Sequence, residues 1–173
     1  SPWCASPVIV PKPDGSYRFC INFRAVNAVT RKDKYPIPRM DELLDKLNGS
    51  NYFTSVDLTS AYFQIPIKEE DKYKTAFVTN QGLFEYNCMA QGLTNSPPTF
   101  ARFMDNILRP FVNCTIVYLD DVLIHNTEVN EHIESVLKVL NILNGWNMKI
   151  NLKKCSFFKK EVKFLGFVVS GNG

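Results

Sequence analysis

Two carboxylates stand side by side at Asp120 and Asp121, between short apolar runs at residues 114–119 and 122–124. Runs of this length read as strands, and the acids between them force a turn. Adjacent like charges held near a core repel one another and lose hydration. The pair therefore belongs either at an exposed hairpin tip, where Asp is common, or in a site where cations neutralise it. A third acid bears on that choice. Asp57 ends the apolar run 53–56 and opens the stretch Asp57-Leu58-Thr59-Ser60-Ala61-Tyr62. One acid at the end of a core strand and a pair at a neighbouring hairpin would make a three-carboxylate cluster. Hard divalent cations balance such a cluster, and oxygen-only ligands suit Mg²⁺.

The rest of the composition describes a globular domain. The chain has 173 residues, 45% hydrophobic and 21% charged. These values exclude a disordered tail, a collagen-like repeat and a low-complexity linker. Its apolar runs are too short to span a bilayer. It opens Ser1-Pro2-Trp3, with neither an initiating Met nor a secretory signal, so residues upstream are expected. Five cysteines are widely spaced, form no CxxC pair and lie away from His125 and His132. Reduced thiols in an intracellular protein are expected, rather than a zinc knuckle or a disulfide framework. The net charge of +3 conceals a segregation. Residues 1–40 carry +5, residues 41–152 carry −6 and residues 153–173 carry +4. Cationic ends around an anionic centre suit either a solvated lysine-rich surface or a polyanion gripped about a metal site.

Along the chain, the pattern predicts an α+β fold with several hairpins. Residues 7–11 and 17–23 flank the turn signal Pro13-Asp14-Gly15, placing Lys12 and Arg18 beside a hairpin loop. Residues 31–38 are basic and proline-punctuated, an extended connector. Met40, Leu43, Leu44 and Leu47 have helical spacing with Gly49 as the stop. Residues 53–58 and 65–67 read as strands, and residues 75–79 and 83–88 as a second hairpin. Ser96 and Pro97 are expected to cap and open a helix whose buried face is Phe100, Met104, Ile107, Leu108 and Phe111. Thr127 is expected to cap another, with Ile133, Val136, Leu137, Leu140 and Leu143 inward and Gly145 as its end. A lysine cluster and a final apolar strand or hairpin, residues 162–169, complete the pattern.

The ordered motifs resemble those of reverse transcriptases of the gypsy class of LTR retrotransposons and of retroviral type. Tyr118-Leu119-Asp120-Asp121 is similar to the family's catalytic motif. Residues 7–19 followed by Phe23-Arg24-Ala25-Val26-Asn27 look like its fingers hairpin, and residues 35–44 like the segment before its first catalytic acid. Asp57 to Phe63, Gln91 to Pro97, Leu152 to Cys155 and Phe164 to Phe167 match further blocks in the same order. Two departures stand out: Gln91 where gypsy-class elements often have Phe, and Asn22 where many relatives have Asp.

The resemblance implies a right-hand polymerase fragment. Its ferredoxin-like palm would be an antiparallel sheet packed on helices, with two β-hairpins in the fingers. Fingers would occupy residues 1–32 and 65–95, and palm residues 33–64 and 96–173, with the thumb, connection and RNase H regions outside. The implied activity is RNA- or DNA-directed DNA synthesis, by transfer from a dNTP to a primer 3′-hydroxyl with pyrophosphate release. Asp57, Asp120 and Asp121, with the Leu58 carbonyl, would hold two Mg²⁺ ions, Mn²⁺ being the alternative. Lys154 would protonate pyrophosphate, with the adjacent Lys153 as its rival. Lys12, Arg18, Tyr62, Gln91 and Gly92 would bind the dNTP. Tyr118, Phe164, Leu165 and Gly166 would support the primer. Partners would be an RNA or DNA template with its primer, and no membrane. The implied location is intracellular, in cytoplasm or a virus-like particle. The rival expectation is a non-catalytic, degenerate nucleic-acid-binding relic of such a polymerase.

Overall fold

The computed structural model describes residues 1–12, 15–36 and 38–171. Pro13 and Asp14 of the expected turn, and Ile37 of the expected connector, lie outside the described residues. The elements are β1 (Pro7–Pro11), β2 (Tyr17–Ile21), α1 (Arg24–Val29), α2 (Met40–Asp45), β3 (Tyr52–Asp57), β4 (Phe77–Thr79), β5 (Gly82–Phe84), α3 (Ser96–Leu108), β6 (Thr115–Tyr118), β7 (Asp121–Asn126), α4 (Val129–Gly145), β8 (Ser156–Lys159), β9 (Glu161–Phe164) and β10 (Phe167–Ser170). They fall into two units, Ser1–Lys34 with Ser60–Phe100, and Tyr35–Thr59 with Ala101–Gly173.

The first unit rests on two antiparallel hairpins. β1 pairs with β2 from Pro7↔Ile21 to Pro11↔Tyr17, so both prolines sit at strand ends, where a missing N–H costs least. β4 pairs with β5 from Phe77↔Phe84 to Thr79↔Gly82. Its small core gathers Ala5, Ile21, Phe23 and Ala90, with Phe77 and Tyr86 packed against them. Most apolar residues of the β1–β2 hairpin stay exposed, Tyr17 at 71% and Ile9 at 56%.

The second unit holds the larger core. Its four-stranded antiparallel sheet has the order β6-β7-β3-β8. With α3 between β3 and β6 and α4 between β7 and β8, the chain order is βαββαβ, the ferredoxin-like arrangement. Alternation assigns the two faces. Phe53, Ile116 and Leu123 point into a cluster with Leu43, Leu47, Val162, Phe164 and Val169. Thr54 and Asn126 point to the opposite face, where they meet α4.

Several local expectations are corrected. The face of α4 is displaced from the aliphatic one: His132, Ser135, Val136, Val139 and Leu143 are buried, whereas Ile133 and Leu137 are 41% and 57% exposed. The polar residues are accommodated because they hydrogen-bond to one another and to the sheet. Asn126 Oδ1 accepts from His132 Nδ1 at 2.8 Å, which leaves His132 Nε2 to accept from Thr54 Oγ1, also at 2.8 Å. Asn126 Nδ2 in turn donates to Ser135 Oγ. Neither expected hydroxyl cap forms. Ser96 is already helical and donates to the Ala90 carbonyl, and Thr127 donates to the Gly49 carbonyl. Residues 65–67 make only an isolated bridge, Pro66↔Cys88, in place of a strand, and residues 85–88 fall outside β5. All five cysteines are free thiols.

Candidate active site

The acids come together through strand register. β6 and β7 are joined by a two-residue turn, Leu119-Asp120, closed by the pair Tyr118↔Asp121. Leu119 lies at φ 55°, a left-handed conformation that costs a non-glycine residue about 1–2 kcal/mol. On its other side β7 pairs with β3, and the last rung is Asp57↔Asp121. Directly opposed residues share a face and have Cβ atoms roughly 5 Å apart. Both carboxylates therefore project from the face that carries Phe53 and Leu123, at the edge of the apolar cluster. Asp57 and Asp121 are partly buried, and Asp120 in the turn is exposed. Burial pushes the Asp121 carboxyl above the usual carboxylate range, and the charges of Asp120 and Asp57 push it further. Lys154 opposes the shift.

A turn at residues 151–155 closes around Asp57. The Asn151 N–H donates to the Asp57 carbonyl at 2.8 Å, and the Asp57 N–H donates to Cys155 Sγ at 3.4 Å. Lys154 Nζ lies 3.5 Å from Asp57 Oδ2. Leu58, 3% exposed, pairs with Ile150 through bonds made by Asp57 O and Thr59 N, so the bridge does not use the Leu58 carbonyl. Motif reading quoted Cys155 without giving it a role, and spacing contained no signal for Asn151. The contact depends on how the chain returns after α4.

The donor chemistry fits a hard cation. Among the described residues, no group of three or more His, Cys, Asp and Glu side chains forms a cage. Mg²⁺ does not need one, because it is commonly held by one or two carboxylates with water and substrate phosphates completing the shell. Two facing carboxylates with a third in the adjoining turn, mutually repelling and all oxygen, match that requirement.

The residues expected to support the primer lie in the same unit. Tyr118 packs against the apolar cluster, and Phe164 is buried within it. Phe164↔Phe167 closes a second two-residue turn, in which Leu165 (φ 52°) and Gly166 (φ 85°) are both left-handed, as in a type I′ turn. Leu165 and Gly166 form the hairpin tip, whereas the Phe164 side chain serves the core.

The residues expected to bind the nucleotide belong to the first unit. Lys12 stands at the foot of the hairpin loop, its N–H bonded to the Ser16 carbonyl, and Arg18 is exposed on β2 opposite Val10. Tyr62, half-buried, meets the Phe100 ring edge-on at 5.5 Å. Gln91 and Gly92 are exposed, and Gly92 has φ +92°. The Asn27 side chain fastens this loop, donating to the Gly92 carbonyl and accepting from the Thr94 N–H, both at 2.8 Å. Beside it a pocket of about 380 Å³ is lined by residues including Asn22, Arg24, Asn27 and Gly92. Asn27, which the motif reading quoted without giving it a role, is the residue that holds this loop.

A ferredoxin-like sheet with paired acids at its strand ends, in a chain that also carries two hairpins, defines the fingers–palm class of right-hand polymerases. The chain belongs to the reverse transcriptase (RNA-dependent DNA polymerase) family, whose model matches residues 10–169. It is 47% identical, over its whole length, to the retrovirus-related Pol polyprotein from transposon 297 of Drosophila melanogaster. It is 38% identical, over 98% of its length, to the transposon Tf2-3 polyprotein of Schizosaccharomyces pombe. The chain spans 17% of the first relative and 13% of the second. Among solved structures, it resembles the foamy viral protease-reverse transcriptase in complex with double-stranded DNA, with TM-score 0.92 and 29% identity. That match covers 98% of this chain and 30% of the other. The same viral enzyme with an RNA/DNA hybrid gives TM-score 0.91 at 28% identity, over 98% and 23% of the two chains. Among the described residues, no helix is long and apolar enough to cross a membrane.

Proposed function

We propose that this chain is the fingers and palm of a retroelement DNA polymerase of the gypsy class, transferring deoxynucleotidyl groups to a primer 3′-hydroxyl on an RNA or DNA template. The observation that carries this reading is the Asp57↔Asp121 rung with Asp120 in the adjoining turn. Repelling carboxylates on a well-packed sheet are costly to keep without a cation to hold. Family membership, and relatives in complex with DNA and with an RNA/DNA hybrid, support the substrate class. Fingers would be residues 1–32 and 65–95, and palm residues 33–64 and 96–173.

Asp57, Asp120 and Asp121 would hold two Mg²⁺ ions, or Mn²⁺ in their place, with the Leu58 carbonyl as a further ligand. Bound there, the ions would supply the charge that activates the primer hydroxyl and stabilises the leaving pyrophosphate. Lys154, carried beside Asp57 on the 151–155 turn, would hold the proton that pyrophosphate takes, with Lys153 as the neighbouring alternative. Lys12 offers the triphosphate a point charge and Arg18 a planar fork. Tyr62 would fill the space of a ribose 2′-hydroxyl. The Gly92 loop would approach the nucleotide closely, with Gln91 offering a hydrogen bond. Tyr118 and the Leu165–Gly166 tip would bear on the primer end, with Phe164 anchoring that tip from the core.

Primer extension by the parent polyprotein tests the reading. Asp120→Asn is expected to reduce Mg²⁺-dependent dNTP incorporation by orders of magnitude while leaving salt-sensitive template binding intact. A wild-type protein that binds template–primer but incorporates nothing would instead make the chain a binding relic.

A further inference from the structure

We infer that the 151–155 turn is a positioning device for Asp57, and that the Cys155 thiol is the side chain through which it acts. β8 pairs with β3 at Phe53↔Lys159 and Ser55↔Ser156, and the register shifts between the two rungs. β8 begins at Ser156, opposite Ser55, so its pairing with β3 stops short of Asp57 and offers no strand carbonyl to the Asp57 N–H. Cys155 takes that place, with Sγ accepting the Asp57 N–H at 3.4 Å.

The thiol is itself oriented. Its S–H donates to the Asn151 carbonyl at 3.3 Å, and the Asn151 N–H donates to the Asp57 carbonyl at 2.8 Å. The Lys154 and Cys155 N–H groups also end on the Asn151 carbonyl, at 2.9 and 3.2 Å. Both backbone polar groups of Asp57 are thus tied to one self-bonded turn. Of its side chains, only the thiol touches the Asp57 backbone in this network. The Lys154 contact is a weaker tether, because that side chain is 67% exposed and water screens the pair. Asp57 stands opposite Asp121, whose charge repels it, so a fixed backbone holds the carboxylate where repulsion would otherwise displace it. Cys155 makes no contact with substrate in this scheme. It is a positioning residue whose effect passes through Asp57.

The geometric claim stands on the hydrogen bonds alone; its consequence for metal binding rests on the function proposed above. One experiment separates the two. Backbone amide exchange and Mg²⁺ titration are followed by NMR on the whole chain as wild type, Cys155→Ala and Cys155→Ser. In Cys155→Ala, the Asp57 amide is expected to exchange about tenfold faster or more, while the Phe53 and Leu123 amides keep their protection. The Mg²⁺ concentration that half-shifts the Asp57 and Asp121 signals is expected to rise several-fold. Cys155→Ser keeps an acceptor and a donor, and is expected to restore both readouts. Unchanged Asp57 exchange in Cys155→Ala overturns the proposal. So does acceleration spread evenly over the sheet, which would make the thiol a packing residue. If Mg²⁺ shifts nothing in the wild type, the metal reading fails, and the exchange data still decide the role of Cys155.

Discussion

The two units carry their candidate residues on very different supports. In the second unit, Asp57 and Asp121 end strands whose neighbours Val56, Val122, Leu123 and Ile124 are all 0% exposed. In the first unit, Arg18 rises from a hairpin whose Val8, Ile9, Val10, Tyr17 and Phe19 are between 43% and 71% exposed. Carboxylates that share an ion must hold a fixed separation, and a close-packed sheet provides it. The triphosphate contact proposed for Arg18 would need reach more than rigidity, and a thin hairpin with exposed faces suits that. Misplacement is therefore expected to cost the sheet acids more than the hairpin cations.

Stability measurements can break this contrast. Leu123→Ala is expected to destabilise the chain by about 2–5 kcal/mol, because it leaves a cavity in a fully buried cluster. Tyr17→Ala, on the open hairpin, is expected to change stability by less than about 0.5 kcal/mol. Equal shifts in the denaturation midpoints of the two variants would erase the distinction.

Acid acts on the second unit through its two buried histidines. Burial, with the charges of His132 and Lys46 adding to it, pushes His125 down to about 4, and burial lowers His132 as well. Each imidazole is thus favoured as the neutral form in the fold, whereas the unfolded chain takes up a proton near pH 6.5. The unfolded state binds more protons between pH 6.5 and 4, so stability is complete above that window. It falls as pH drops through the window, by at most about 1.4 kcal/mol per pH unit from His125, and the lowered His132 adds to the loss below pH 6.5. His125→Gln removes one of the two protons from this dependence. Urea denaturation at pH 7, 6 and 5 checks it, and a variant slope as steep as the wild type's would exclude His125 as a source.

A smaller effect sharpens the cost of the site. Asp121→Asn removes the charge facing Asp57 and is expected to raise the stability of the metal-free chain by about 0.5 kcal/mol. A loss of stability would mean that the pair is held by something other than tolerated repulsion.

How much of this was legible in the sequence follows the same division. Apolar runs interrupted by acids announced β3, β6 and β7, and helical spacing announced the buried Phe100 and Met104 of α3. The inward face of α4 was not legible. His132 and Ser135 look like surface residues until Thr54 and Asn126, distant or on another element, are placed beside them. Ser96 and Thr127 read as caps for the same reason: their hydroxyls serve the Ala90 and Gly49 carbonyls instead. In the site, Asp57, Asp120 and Asp121 could be named from motifs, but the pairing of Asp57 with Asp121 is a matter of register. The Cys155 bond is a matter of where β8 joins the sheet, one rung short of Asp57. Motifs preserve residue types along the chain, whereas tertiary hydrogen bonds join residues about a hundred positions apart.

The most direct test sets one residue from each support side by side in primer extension by the parent polyprotein, with dNTP varied at saturating Mg²⁺. Asp57→Asn is expected to abolish incorporation at every dNTP concentration. Arg18→Ala is expected to raise the KM for dNTP about tenfold, the loss of one charge-assisted contact, and to recover most of the wild-type kcat at saturation. Near-normal incorporation by Asp57→Asn would contradict the assignment of the sheet acids as the catalytic centre.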